Sequence, residues 1–147
     1  MPGEIGVASV RTPTYLSESR LATPDSVPWA RQLVVDFAAT VGMRERQLQD
    51  IRLLVSEAAT NAVLYAYEES FPGEIHIIAA VVSGELWIVV ADDGKGMSRT
   101  SGEQGGLGLG LTLMAQLSDG FTLASRSSGG VEARMQFQLP DAPAVTY

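Results

Sequence analysis

Apolar positions recur along this chain with two different periods, and the switches between them mark its elements. From Trp29, the residues Leu33, Phe37 and Val41 follow at intervals of four and trace one buried stripe of a helix. This helix begins near Asp25 or Ser26, either of which can cap it, because Pro28 is tolerated only in a first turn; Gly42 ends it. A longer stripe through Leu48, Ile51, Val55, Ala58, Ala62 and Ala66 predicts a second helix over residues 44–69, broken by Phe71-Pro72-Gly73. Two runs rich in Val and Ile follow, residues 74–82 and 85–91. Only Ser83-Gly84 separates them, the pattern of an antiparallel hairpin with a tight turn. A Gly-rich stretch from Gly94 to Gly110 leads into a third helix through Leu111, Met114 and Leu117, and two more strands close the chain. In the last of these, residues 131–139, Val131, Ala133, Met135, Phe137 and Leu139 alternate with Glu132, Arg134, Gln136 and Gln138. One face of the sheet therefore meets helices and the other meets water or a partner. Tyr15–Leu21 adds an edge strand after a loose leader at 1–14, and residues 141–147 form a short tail.

The order β-α-α-β-β-α-β-β, with hairpins rather than crossovers joining the strand pairs, predicts an α+β fold. It is a two-layer sandwich of a mostly antiparallel sheet of about five strands with three helices on one face. With 147 residues the chain has the length of one domain, assigned to residues 15–140.

Composition narrows the chemistry. The chain has no cysteine and a single histidine, His76, so thiolate nucleophiles, Cys-based zinc sites and His clusters are excluded. A formal charge of −7 with ten Lys and Arg argues against sequence-independent nucleic-acid binding. No apolar run reaches the roughly 20 residues of a membrane span, and the first residues lack a secretory signal, so a cytoplasmic protein is expected. An anionic ligand in so acidic a chain would need a divalent cation and backbone N–H groups to offset repulsion.

Three polar signals interrupt the apolar pattern in a fixed order. On the second helix, Ser56-Glu57-Ala58-Ala59-Thr60-Asn61-Ala62 sets a carboxylate and an amide four residues apart, hence on one face, among Leu53, Leu54, Val55, Ala59, Val63 and Leu64. Solvated polar pairs are the commoner outcome on a helix, but polar groups in so apolar a turn need partners. The Asn61 carbonyl is a hard ligand suited to Mg²⁺, and Glu57 is suited to accept the proton of a hydroxyl or water during phosphoryl transfer. Asp92-Asp93-Gly94-Lys95-Gly96 leaves the second strand of the hairpin. It can be a plain turn, yet a half-buried Asp92 carboxylate would accept from the exocyclic amino group of adenine and reject guanine; Asp93 is the competing candidate. Gly105-Gly106-Leu107-Gly108-Leu109-Gly110 stands before the third helix, where backbone without Cβ lets N–H groups converge on phosphate oxygens. It lacks the Gly-Lys-Ser/Thr ending of a P-loop, and no βαβ unit surrounds it.

Together, Glu57-x-x-x-Asn61, Asp92-x-Gly94-x-Gly96 and Gly106-x-Gly108-x-Gly110 resemble the N, G1 and G2 boxes of the GHKL superfamily, the histidine kinase-like ATPases with the Bergerat fold. The stretches Val55–Val63, Gly105–Leu109 and Leu113–Asp119 look like the bacterial anti-sigma factor serine/threonine-protein kinases. The resemblance covers residues 15–140. It implies a dimeric Mg-ATP-binding regulator that phosphorylates a serine of an anti-anti-sigma protein of the STAS type and alternatively holds a sigma factor inactive, a role in transcription regulation and stress response. Glu57 then matches the catalytic base and Asn61 the Mg²⁺ ligand. Asp92 matches the adenine-reading aspartate, and Gly94, Gly96, Gly105, Gly106, Leu107, Gly108, Leu109 and Gly110 line the nucleotide. Arg31 matches a basic position used toward protein partners, and Arg99 is a candidate for contact over the nucleotide.

Three positions depart from the family pattern. Residues 97–104 are a shorter loop than the ATP lid of many relatives, Val131 stands where relatives often have Thr, and Tyr65 where many have His. Two rival functions follow from the same residues. One is an ATP-gated binding module without phosphotransfer; the other is an ATP-binding domain acting in trans as a histidine kinase, disfavoured because His76, the only histidine, sits within a predicted strand.

Overall fold

A computed structural model describes residues 14–66, 73–94, 105–127 and 129–140. Its core is a five-stranded sheet in the order β1-β2-β3-β5-β4, with β1 at Tyr15–Leu21, β2 at Glu74–Val82, β3 at Glu85–Asp92, β4 at Gly120–Ser125 and β5 at Val131–Gln138. Every pairing is antiparallel. Three helices accompany it: α1 at Ser26–Thr40, α2 at Glu45–Asn61 and α3 at Gly105–Leu117. This is the expected α+β sandwich. The leader up to residue 13, the tail 141–147 and the loop 97–104 lie outside the described residues.

Alternation in the strands decides which side the helices cover. Ile75, Ile77 and Ala79 of β2, Leu86, Ile88 and Val90 of β3, and Ala133, Met135 and Phe137 of β5 are buried on one face. Against them lie Val34 of α1 and Ile51, Leu54 and Val55 of α2, all without solvent exposure. The hairpin turn has φ of 50° at Ser83 and 80° at Gly84, a turn of the type whose twist matches the flanking strands.

Four details differ from the expectation. In α1 the buried residues are Ser26, Ala30, Val34, Val35, Phe37 and Ala38, while Trp29, Leu33 and Val41 flank the core half-buried. Trp29 lies under the Arg20 guanidinium, 5.2 Å from the ring centroid. Second, α2 ends as an α-helix at Asn61 and continues as a π turn over Ala62–Ala66, while residues 67–69 lie outside the described residues. Third, the glycines 105–110 lie inside α3 rather than before it. Fourth, β3 extends one residue past Ala91, so that Asp92 is the last residue of the strand, paired with Ile75.

Candidate active site

Asp92 leaves β3 on the helix-covered face of the sheet and is 6% exposed. Its Oδ1 accepts from the backbone N–H of Gly94 at 2.8 Å and of Val131 at 3.4 Å. Among the described residues nothing donates to Oδ2. A buried carboxylate oxygen without a donor is costly in a protein that binds nothing there. Burial pushes the carboxyl pKa up from 3.8, and Asp93 adds to the rise; the two amides and Arg126 act the other way.

The backbone around Asp92 is shaped by Gly130, whose φ is +95°. A Cβ there would run into the Asp92 carbonyl and lie 2.8 Å from Asp93 Cα. Only glycine lets the β4–β5 turn approach the end of β3 so closely. In this way the turn delivers the Val131 amide to the Asp92 carboxylate.

Glu57 and Asn61 project from consecutive turns of α2, each half-buried. Glu57 meets α3 at Gly110, where a Cβ would come within 3.1 Å of Glu57 Cδ and closer still to Oε2. Among the described residues neither side chain has a hydrogen-bond partner, so the carboxylate and the amide remain available to a ligand. Asn61 is the last α-helical residue before the π turn, a kind of distortion found at functional sites. No group of three His, Asp or Glu is gathered to hold a metal among the described residues. The Asn61 carbonyl nevertheless suits Mg²⁺, which takes one or two protein ligands beside phosphate oxygens and waters.

A family model for the histidine kinase-like ATPase domain matches residues 21–137. The chain belongs to the histidine kinase-like ATPase family. It is 31% identical over 120 residues to an anti-sigma F factor of Clostridium botulinum, covering 74% of this chain and 82% of that one. It is 32% identical over 119 residues to the serine-protein kinase RsbW of Bacillus subtilis, covering 71% and 74%. Within the family the chain stands among the anti-sigma factor serine kinases. A solved structure of the RsbU and RsbW domains of a Mycobacterium tuberculosis protein shares the fold, with a TM-score of 0.68 at 22% identity over 86% of this chain and 33% of that one.

In this histidine kinase-like ATPase the sequence-predicted residues fall into separate groups. Glu57 and Gly110 lie where α2 and α3 meet, and Asn61 lies one turn beyond Glu57 at the end of α2; Asp92 and Gly94 lie at the end of β3. Gly105, Gly106 and Gly108 belong to the first turns of α3, and Leu107 and Leu109 lie there with side chains outside the described set. Gly96 and Arg99 are outside the described residues. Arg31 is half-buried: its Nη1 donates to Ser56 Oγ at 2.9 Å, and that hydroxyl donates to the Arg52 carbonyl at 2.7 Å. These residues line a shallow groove with Gln49 and Leu53, directly beside Glu57 in sequence.

Three contributions escaped the sequence reading. Gly110 matters for its contact with Glu57, and Gly130 for its contact with the Asp92 carbonyl. Val131 reaches Asp92 through its backbone amide although it lacks a hydroxyl. The doubled glycine at 129–130 was the one visible signal, since both residues take positive φ.

Proposed function

We propose that this anti-sigma factor serine kinase binds Mg-ATP, transfers a phosphoryl group to a serine of a STAS-type anti-anti-sigma protein, and sequesters a sigma factor in the alternative complex. The observation that carries the reading is the Glu57 carboxylate, held against Gly110 and without a hydrogen-bond partner among the described residues. ATP supplies the phosphoryl group, with Mg²⁺ offsetting its charge. The chain's own residues position and deprotonate. Asp92 accepts from the adenine amino group through its unpartnered Oδ2, Asn61 holds the metal, and the first turns of α3 turn backbone N–H groups toward the phosphates. Glu57 accepts the proton of the incoming serine hydroxyl.

The groove of Arg31, Gln49, Arg52, Leu53 and Ser56 supports docking of the protein partners close to Glu57, since it offers two cations and the half-exposed Leu53. The working form is a homodimer in the cytoplasm. Supporting a dimer, the sheet face away from the helices carries Tyr15, Ile78, Trp87 and Val89, an apolar surface available for burial.

The test is phosphoserine formation on a purified anti-anti-sigma protein with Mg-ATP. Glu57→Ala is expected to lower the rate by a factor on the order of 10²–10⁴, the usual worth of a positioned base, while leaving Mg-ATP binding within a few-fold. Equal phosphoserine from both proteins would remove the base assignment. No phosphoserine from the wild type, with ATP still bound, would favour the ATP-gated binding module.

A further inference from the structure

The turn that carries Asp92 is held from outside the sheet ladder by a cluster for which the proposed reaction has no use. The Asp93 carboxylate sits in a fork. Its Oδ1 accepts from Arg126 Nη1 at 2.9 Å, and its Oδ2 pairs with His76 Nε2 at 2.7 Å. The same Arg126 Nη1 donates to the backbone carbonyl of Asp92 at 3.2 Å. Arg126 itself is steadied by Glu132 on β5, with Nε 3.6 Å from Oε1. On the far side of the imidazole, Nδ1 lies 2.7 Å from Ser19 Oγ on the edge strand β1. Four segments thus converge on one turn: β1, β2, the β4–β5 connection and β5.

The hydrogen bonds assign the imidazole. Nε2 faces a carboxylate, which only accepts, so Nε2 carries the proton; Nδ1 then accepts from the Ser19 hydroxyl.

Such a fork matters because it grips the residue that directly follows Asp92 at the strand end. Asp92 is the last residue of its strand, and its Oδ1 depends on two amides, Gly94 and Val131, that must stay in register with it. The fork bridges both sides of that junction. It also places a guanidinium beside two adjacent carboxylates, which would otherwise repel each other.

We propose that Arg126 and His76 are positioning residues that grip Asp93 and thereby aim the Asp92 carboxylate, setting the affinity of the site for an adenine nucleotide. The inference rests on the reading of Asp92 as the adenine acceptor. Neither residue touches the nucleotide; both act through the turn.

Isothermal titration of Mg-ATP into the full chain, with a thermal melt of each protein, tests it. Arg126→Ala is expected to weaken ATP by about tenfold and His76→Ala by about threefold, the size of losing one ordinary hydrogen bond, since both act through the turn. His76→Gln, whose amide nitrogen can reach the place of Nε2, is expected to stay within about twofold of the wild type, as a restored donor would. A generic loss of packing would not be rescued by that substitution. Asp92→Asn serves as the reference. If Asp92→Asn loses ATP while both alanine variants bind as the wild type does, the positioning role is overturned and the adenine reading stands. A loss in His76→Ala that His76→Gln fails to restore overturns the donor role of the imidazole. If Asp92→Asn itself binds ATP normally, the adenine reading falls and this inference falls with it.

Discussion

Gly110 of α3 lies bare against the carboxylate of Glu57 on α2, so close that a Cβ on the glycine would stand 3.1 Å from both Cγ and Cδ of the glutamate. The contact joins the first of the three polar signals in the chain to the last. It also gives the glycine a role separate from phosphate contact: it leaves room for a base. Gly110→Ala would push the Glu57 carboxylate aside, while the added methyl favours the helix by about 1 kcal/mol. The expected outcome is a fold that melts near the wild-type temperature and a phosphotransfer rate lowered by at least about tenfold, since small displacements of catalytic groups are costly. A thermal melt beside a phosphoserine assay checks both halves.

Asp92 links stability to pH in an unusual direction for a carboxylate. Its pKa is raised in the folded protein, mainly by burial, so the folded state holds a proton that the unfolded state has already released. Stability therefore falls as pH rises from the unfolded value of 3.8 through the raised folded value. Asp92→Asn removes this loss and is expected to stabilise the nucleotide-free protein at neutral pH by about 1 kcal/mol, the lower range for relieving an unsatisfied buried group. Urea titrations between pH 4 and pH 7 read the difference. The same substitution is expected to abolish discrimination of ATP from GTP, since an amide can both donate and accept.

Val131 faces the helix side of β5, next to the strand end that carries Asp92, and offers that carboxylate only its amide at 3.4 Å. Val131→Thr adds a hydroxyl beside the carboxylate at almost unchanged volume. Tighter Mg-ATP binding by about three- to tenfold is expected, the net worth of one ordinary hydrogen bond. Unchanged affinity would show that the backbone amide already suffices.

Gly130 takes a φ of +95° and leaves no space for a Cβ beside the Asp92 carbonyl. Gly130→Ala combines an unfavourable backbone conformation with a clash against main chain that cannot rotate away. A loss of roughly 2–4 kcal/mol in stability is expected, measured by chemical denaturation, from strain at a special φ plus overpacking.

The hairpin of β2 and β3 and the alternation of β5 were legible because periodicity of two needs only local chain geometry. The end of α2 was not. Its apolar stripe continues through Ala62 and Ala66, and nothing in that pattern separates an α turn from the π turn that begins at Ala62. Likewise Trp29 has the spacing of a core residue, yet it lies under Arg20, a partner from the preceding strand that periodicity cannot see.

What the sequence determined alone is the set of groups and their carriers: a carboxylate and an amide one turn apart on α2, an aspartate at the end of β3, and glycines at the start of α3. Tertiary structure decided their surroundings. Only sheet register brings the Val131 amide and Gly130 to Asp92, and only helix packing brings Gly110 to Glu57. The fork of Arg126 and His76 on Asp93 arises the same way, from residues far apart in the chain whose distances no local period encodes. The physical reason is that hydrogen bonds and close contacts across strands and helices depend on register and packing, whereas side-chain type and spacing are already written along the chain.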